Sequence, residues 1–107
     1  MSSGEFYNIV KLVPKPGKFD ELAAAFQTLC KHVEATEPKT QIYFSVRPHK
    51  TDEMIIVEKY TDTENLKAHG STPEFKAFGR AIGPLLAAPP QMQRGDYVAG
   101  FEGRSKL

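Results

Sequence analysis

A single α+β domain in the order β-α-β-β-α-β is the fold this sequence predicts, on three observations. Four segments concentrate or alternate β-branched and aromatic residues, other stretches repeat apolar residues at three- and four-residue steps, and Pro- or Gly-rich breaks separate them. The chain has 107 residues, a length that usually makes one domain and buries roughly two-thirds of its unfolded surface. A core of that size is small, so sharing it with a second copy is open from the start.

The first strand is predicted over residues 6–13, from Phe6 to Val13. Pro14-Lys15-Pro16-Gly17 breaks it, because two prolines and a glycine suit a turn and not a sheet interior. From Lys18 the period changes. Phe19, Leu22, Ala23, Phe26, Leu29, Cys30 and Val33 form the apolar stripe of an amphipathic helix. Asp20 and Glu21 lie in its first turn, where negative charge suits the helix dipole, and Pro38 stops it. Thr40 to Arg47 alternates Ile42, Phe44 and Val46 with Tyr43, Ser45 and Arg47, which is a second strand. After the polar turn at 48–53, Met54 to Tyr60 makes the third, apolar on both faces at its start and so in need of cover on both sides.

Asp62 or Thr63 is the predicted cap of a short helix through Leu66 and Ala68 that ends near Gly70. Ser71-Thr72-Pro73-Glu74 then combines a Ser-x-x-Glu capping box with proline in the first turn. Phe75, Phe78, Ile82 and Leu85/Leu86 follow at helical spacing, and Pro89-Pro90 closes that helix. Met92 to Phe101 is the predicted last strand, with a bulge near Gly95. This order is the split βαβ, or ferredoxin-like, plan: a four-stranded antiparallel sheet with helices on one face. The other face needs a partner, and a homodimer is the simplest one. The domain is placed at residues 6–101, between a flexible N-terminus over 1–5 and a flexible tail over 102–107.

Charge and composition exclude several functions. With 14 Lys+Arg against 13 Asp+Glu, a net charge of +1, there is no basic field for nucleic acid and no polybasic strip for a membrane. No apolar run approaches the roughly 20 residues of a membrane helix, and Met1-Ser2-Ser3-Gly4 does not begin a signal peptide. Gly79 and Gly83 lie inside a helix without the Lys-Ser/Thr of a phosphate loop. Cys30 and His32 point in different directions on their helix and His49 is in a turn, so no metal is expected. Cys30, beside the apolar stripe, is read as a core residue rather than a nucleophile.

Chemistry remains possible around the third strand. Glu58 and Tyr60 share a face with Met54 and Ile56, His69 closes the short helix, and Phe75 and Phe78 open the next. Together they would line a mostly aromatic pocket between sheet and helices, the make-up of a small-molecule site. Composition alone favours a purely structural reading here: Tyr60 packing on Phe75, Glu58 paired with a lysine, His69 a helix-end residue.

The stretches Met54-Ile55-Ile56-Val57-Glu58-Lys59-Tyr60, Leu66-Lys67-Ala68-His69 and Pro73-Glu74-Phe75-Lys76-Ala77-Phe78 resemble the signature of the antibiotic biosynthesis monooxygenase family. That signature is a strand ending Glu-x-Trp or Glu-x-Tyr, a helix ending Ala-x-x-His or Ala-His, and a helix start Pro/Ser-x-Phe-x-x-Phe. The resemblance runs over residues 6–100 in element order and is carried by residues 54–78. Tyr60 stands where many members have Trp, and Tyr43 matches the family tyrosine of the second strand. It implies a dimeric ferredoxin-like α/β barrel and, in many members, a cofactor-independent monooxygenase that turns quinols or anthrones into quinones. On that reading His69 is the base, Tyr60 and Tyr43 hydrogen-bond the ring oxygens, and Phe75 and Phe78 stack on the ring. Met54 and Ile56 would complete the substrate pocket, and Glu58 would orient His69 or anchor its helix. An isomerase or cyclase using His69 as base, and a non-catalytic small-ligand-binding dimer, are the alternatives.

The sequence closes with Ser105-Lys106-Leu107. A terminal Ser-Lys-Leu is a peroxisomal import signal. In a eukaryote the expectation is therefore recognition by the import receptor and a peroxisomal location, and otherwise a cytoplasmic one. From Glu102 onward the tail is expected to be free in solvent.

Overall fold

Every neighbouring pair of strands runs antiparallel in the computed structural model, which describes residues 4–104. The elements are β1 (Phe6–Leu12), α1 (Phe19–Thr36), β2 (Thr40–Val46), β3 (Met54–Tyr60), α2 (Thr63–Gly70), α3 (Pro73–Ile82) and β4 (Gln91–Gly95). The sheet order is β2-β3-β1-β4, the ferredoxin-like arrangement expected from the element order.

Strand alternation sorts the side chains. Phe6, Val10 and Leu12 of β1 and Met54, Ile56, Glu58 and Tyr60 of β3 are buried on the helix side of the sheet. Helix α1 turns Leu22, Phe26, Leu29 and Val33 inward, and α3 adds Ile82. These residues make one core, centred on Val10, Leu12, Leu22, Phe26, Met54, Ile56 and Ile82. The opposite face of the sheet carries Ile9, Phe44 and Val46, which are 42, 48 and 50% exposed. In β2 the apolar set Ile42, Phe44 and Val46 is thus the outer one, and Tyr43 and Ser45 face the helices. An extra residue, Gln41, bulges between the Thr40–Tyr60 and Ile42–Lys59 pairs.

Boundaries differ from expectation at several places, some of them by one residue at a strand end. Helix α3 ends at Ile82 and not near Pro89, because Pro84 has no N–H to donate and its ring clashes with the carbonyl four residues back. A 3-10 turn over Gly83–Leu85 replaces the last helical turn. It still brings Leu85 and Leu86 onto the core, and bonds from Lys15 N–H to the Leu85 carbonyl and from Ala87 N–H to the Val13 carbonyl, both 2.7 Å, stitch it beside β1. The cap of α3 is Thr72, not Ser71: the Thr72 hydroxyl accepts from Phe75 N–H at 3.1 Å, while Ser71 donates back to the Lys67 carbonyl. Strand β4 stops at Gly95 and does not reach Phe101. Finally, the tail is held at its first residue, where Glu102 accepts from the Tyr7 hydroxyl and, at 2.8 Å, from the Lys59 ammonium. Ser105, Lys106 and Leu107, like residues 1–3, lie outside the described residues. Among the described residues no helix is long and apolar enough to cross a membrane.

Candidate active site

Register builds the floor of the site. Tyr43, Glu58, Asn8 and Arg94 are consecutive cross-strand neighbours on β2, β3, β1 and β4. This polar row runs across an otherwise apolar sheet face, and burial makes its carboxyl unusual. Glu58 is 5% exposed. Its Oε1 accepts from the Tyr60 hydroxyl at 2.5 Å and from Asn8 Nδ2 at 3.2 Å. Burial pushes the Glu58 carboxyl above the ordinary glutamate range, opposed in part by those two donors and by the nearby His69. Tyr43 and Tyr60 are also pushed up, first by burial and next by the Glu58 charge, so both stay hydroxyls.

The corner between α2 and α3 supplies the other wall. Asp62 caps α2 by accepting from Asn65 N–H at 2.8 Å, which phases the helix so that His69 in its last turn points inward and is 2% exposed. Thr72 then clips the two helices together, donating to the His69 carbonyl at 3.1 Å while it caps α3. This sets the Phe75 ring 4.9 Å from the His69 ring. The Tyr43 and Tyr60 rings stand 5.3 and 5.6 Å from it. His69 Nδ1 is 2.8 Å from Glu37 Oε1, and His69 Nε2 is 3.3 Å from the Tyr43 hydroxyl.

Sheet and helices enclose a cavity of about 250 Å³. Of the residues expected from sequence, Ile56, Tyr43, Glu58, His69, Phe75 and Phe78 line it, and Asn8, Leu66, Gly79 and Met92 join them. Met54 lies in the core and does not line the cavity. Tyr60 does not line it either: fully buried against Phe6 and His69, it reaches the cavity through the Glu58 carboxyl. Of the two roles the sequence leaves open for Glu58, orienting His69 or anchoring its helix, the first falls to Glu37, which at the end of α1 holds Nδ1. Sequence reasoning misses Glu37 and Asn8. Asn8 becomes visible only once the β1–β3 register is known, and no local pattern separates Glu37 from the solvent-facing Glu34.

The cavity is mostly apolar with a few polar groups in its lining, the make-up of a small-molecule site. The Tyr43 hydroxyl, the His69 imidazole and the Glu58 carboxyl are its hydrogen-bonding groups, with Asn8 beside Glu58. Among the described residues no group of three His, Cys, Asp or Glu side chains could hold a metal ion. Cys30 is packed against the core, and its thiol is pushed up to about 11 by burial, which removes it as a nucleophile near neutral pH.

The family model described as antibiotic biosynthesis monooxygenase matches residues 5–81. The candidate monooxygenase YcnE of Bacillus subtilis (strain 168) is 29% identical over 80 residues, covering 75% of this chain and 84% of its own. A crystal structure of a candidate antibiotic biosynthesis monooxygenase from Caulobacter crescentus superposes with a TM-score of 0.84 at 32% identity, covering 91% of this chain and 92% of that one. A candidate from Nitrosomonas europaea reaches the same TM-score, 0.84, at 14% identity, with 92 and 94% covered, and bears on the fold alone.

Proposed function

This chain belongs to the antibiotic biosynthesis monooxygenase family, and we propose that it is a monooxygenase that oxidises a small aromatic substrate, of quinol or anthrone type, with O2. The observation that carries this reading is the cavity of about 250 Å³, apolar and aromatic in its walls, with Tyr43, His69 and Glu58 converging on one side. A phenol or its tautomer reacts with oxygen through its anion, so the protein has two tasks: to hold a flat ring and to favour loss of its proton. Phe75 and Phe78 offer the ring its faces and edges. The Tyr43 hydroxyl reaches the ring oxygen, and His69 takes the proton through it. Tyr43 then stabilises the anion by hydrogen bonding. O2, small and apolar, partitions into the same cavity. One oxygen atom ends as a new carbonyl on the substrate and the other leaves as water, with the electrons for both supplied by the substrate. The family resemblance extends the proposal to catalysis without a cofactor.

We also propose that the protein works as a homodimer joined through the outer face of the sheet. The half-exposed Ile9, Phe44 and Val46 support it, because a lone domain leaves them in water.

Oxygen consumption by chelator-treated, flavin-free protein tests the reaction across a panel of hydroquinones, naphthols and anthrones. Turnover should appear with at least one of them and fall about 100-fold or more in His69→Ala, the usual scale for losing a general base. Product formed without oxygen loss would instead identify an isomerase or cyclase, and a folded protein that consumes no oxygen with any substrate overturns the monooxygenase.

A further inference from the structure

Glu37 is an expensive residue for this fold to keep. Its side chain is 10% exposed. One oxygen, Oε1, accepts from His69 Nδ1 at 2.8 Å and from Thr40 Oγ1 at 3.1 Å. The other, Oε2, is buried without a hydrogen-bond partner among the described residues. A buried carboxylate oxygen with nothing to accept from costs stability. A leucine or methionine would close the end of α1 at no such cost, so packing does not account for the carboxylate.

Its contacts do. A carboxylate oxygen only accepts, so the ring nitrogen facing it carries the proton. With Nδ1–H committed to Glu37, the neutral ring has a bare Nε2, and that nitrogen faces Tyr43 at 3.3 Å. Tyr43 stays a hydroxyl and is free to donate to it. Tyr43 and His69 both line the cavity, whereas Glu37 does not. Glu37 instead lines a cleft on the far side of His69, with Thr36, Asn65 and Thr72. The ring is thus gripped from behind by Glu37 and presented forward to Tyr43.

We propose that Glu37 is a positioning residue: it fixes His69 in the Nδ1–H tautomer and stabilises the imidazolium formed when Nε2 takes a proton from the cavity. The proposal rests on the monooxygenase reading only in naming the substrate hydroxyl as the source of that proton. The O–H bond of the substrate breaks as its proton passes to the Tyr43 oxygen, and the proton of Tyr43 passes to Nε2. The substrate is left as an anion, Tyr43 is again a hydroxyl, and the ring carries the positive charge opposite the Glu37 carboxylate. Insertion of one oxygen atom and release of the other as water consumes no net proton. The proton on Nε2 therefore returns through Tyr43 to the departing oxygen, the C–H bond of the carbon that becomes the carbonyl breaks to supply the second proton of the water, and the ring ends as it began.

Long-range ¹H–¹⁵N correlation spectra of the imidazoles test the positioning without any substrate. Wild-type His69 should give the Nδ1–H pattern, and Nε2–H in the wild type overturns the proposal with no variant needed. In Glu37→Gln, whose amide accepts or donates equally well, a second population with Nε2–H should appear, and in Glu37→Leu it should dominate. Spectra unchanged from wild type in these variants would equally sink it. With an active substrate, Glu37→Gln should lower kcat about 10- to 100-fold and leave KM within twofold, because the ring stays in place while it loses the charge behind it and part of its Nδ1–H population. A tautomer that responds to Glu37 in a protein inactive toward every quinol upholds the positioning and removes the monooxygenase. Oxygen turnover that ignores Glu37→Gln does the reverse.

Discussion

Glu58 is the residue whose charge the fold controls most directly, and its consequence for stability has a definite sign. Burial is the largest influence on it and raises the carboxyl above its unfolded value, which for a glutamate is about 4.3. The folded state then holds the proton more tightly than the unfolded one, so this group's contribution is fully present below the unfolded value and is lost as pH rises through the folded one. Glu58→Gln keeps the shape without the titration. Its melting temperature relative to wild type should therefore climb as pH rises from 4 toward 8, and a difference that stays flat with pH would show that Glu58 titrates normally. Tyr60→Phe acts on the same carboxyl from below. The Tyr60 hydroxyl lowers the Glu58 value, so its removal should raise the Glu58 midpoint in a ¹³C carboxyl titration, cost about 1 kcal/mol of stability and reduce turnover. A much larger loss of stability with turnover intact would make Tyr60 a packing residue only. Glu58, Tyr60 and His69 are legible in the sequence, because strand alternation puts the first two on one face and the family signature singles out the third. Glu37 and Asn8 are not, since each meets its partner through tertiary contacts, 32 and 50 residues apart in sequence.

The α2–α3 corner is the element that aims His69 and Phe75, and it separates two capping assignments. The Ser-x-x-Glu pattern points to Ser71. The backbone instead places Thr72 in the extended conformation of a cap, with Pro73 next to it at the first helical position. Thr72 makes two bonds, to Phe75 N–H and to the His69 carbonyl, both at 3.1 Å, while Ser71 makes one exposed bond. Thr72→Ala should cost about 1 kcal/mol, or roughly 4–8 °C in melting temperature for a domain near this size. Ser71→Ala should stay within about 0.5 kcal/mol. Reversed magnitudes would restore the capping box. The off-by-one arises because both residues are capping types and proline tolerates either phase, so sequence spacing alone does not choose. The same limit explains the short α3 and β4. Apolar spacing continues through Leu85 and Leu86 beyond the point where Pro84 ends the helix, and Tyr97 and Val98 keep a strand-like composition after the last sheet pairing at Gly95.

At the scale of the whole molecule, the sheet is covered by helices on one side, and its other side bears the apolar half of β2. The alternation of Ile42, Phe44 and Val46 is plain in the sequence, but its direction is not, because the bulge at Gln41 and the pairing with β3 decide which set faces the helices. The structure turns the apolar set outward, next to Ile55, Val57 and Ile9. A face of this kind is what a second copy would bury, and it is continuous because the paired residues Ile9, Val57 and Phe44 lie in one row across three strands. A two-fold dimer through this row would bring Phe44 of one protomer onto the same sheet face of its partner. The wild type should therefore run at about 24 kDa, twice the chain mass of 11.9 kDa. Phe44→Asp places a charge on that face, at its β2 edge, without touching the core, since Phe44 is 48% exposed in the single chain. It should shift the mass in light scattering to that of one chain while the far-ultraviolet circular dichroism keeps its α+β shape. A variant that remains a dimer would put the interface elsewhere, and one that unfolds on dissociation would make the second copy part of the core itself. The loss of activity expected in His69→Ala is distinct from this effect, because the cavity lies on the opposite face of the sheet from Phe44. Activity that disappears in monomeric Phe44→Asp would then mean that the dimer holds the sheet, and with it the Tyr43–Glu58–Asn8 row, in its working shape.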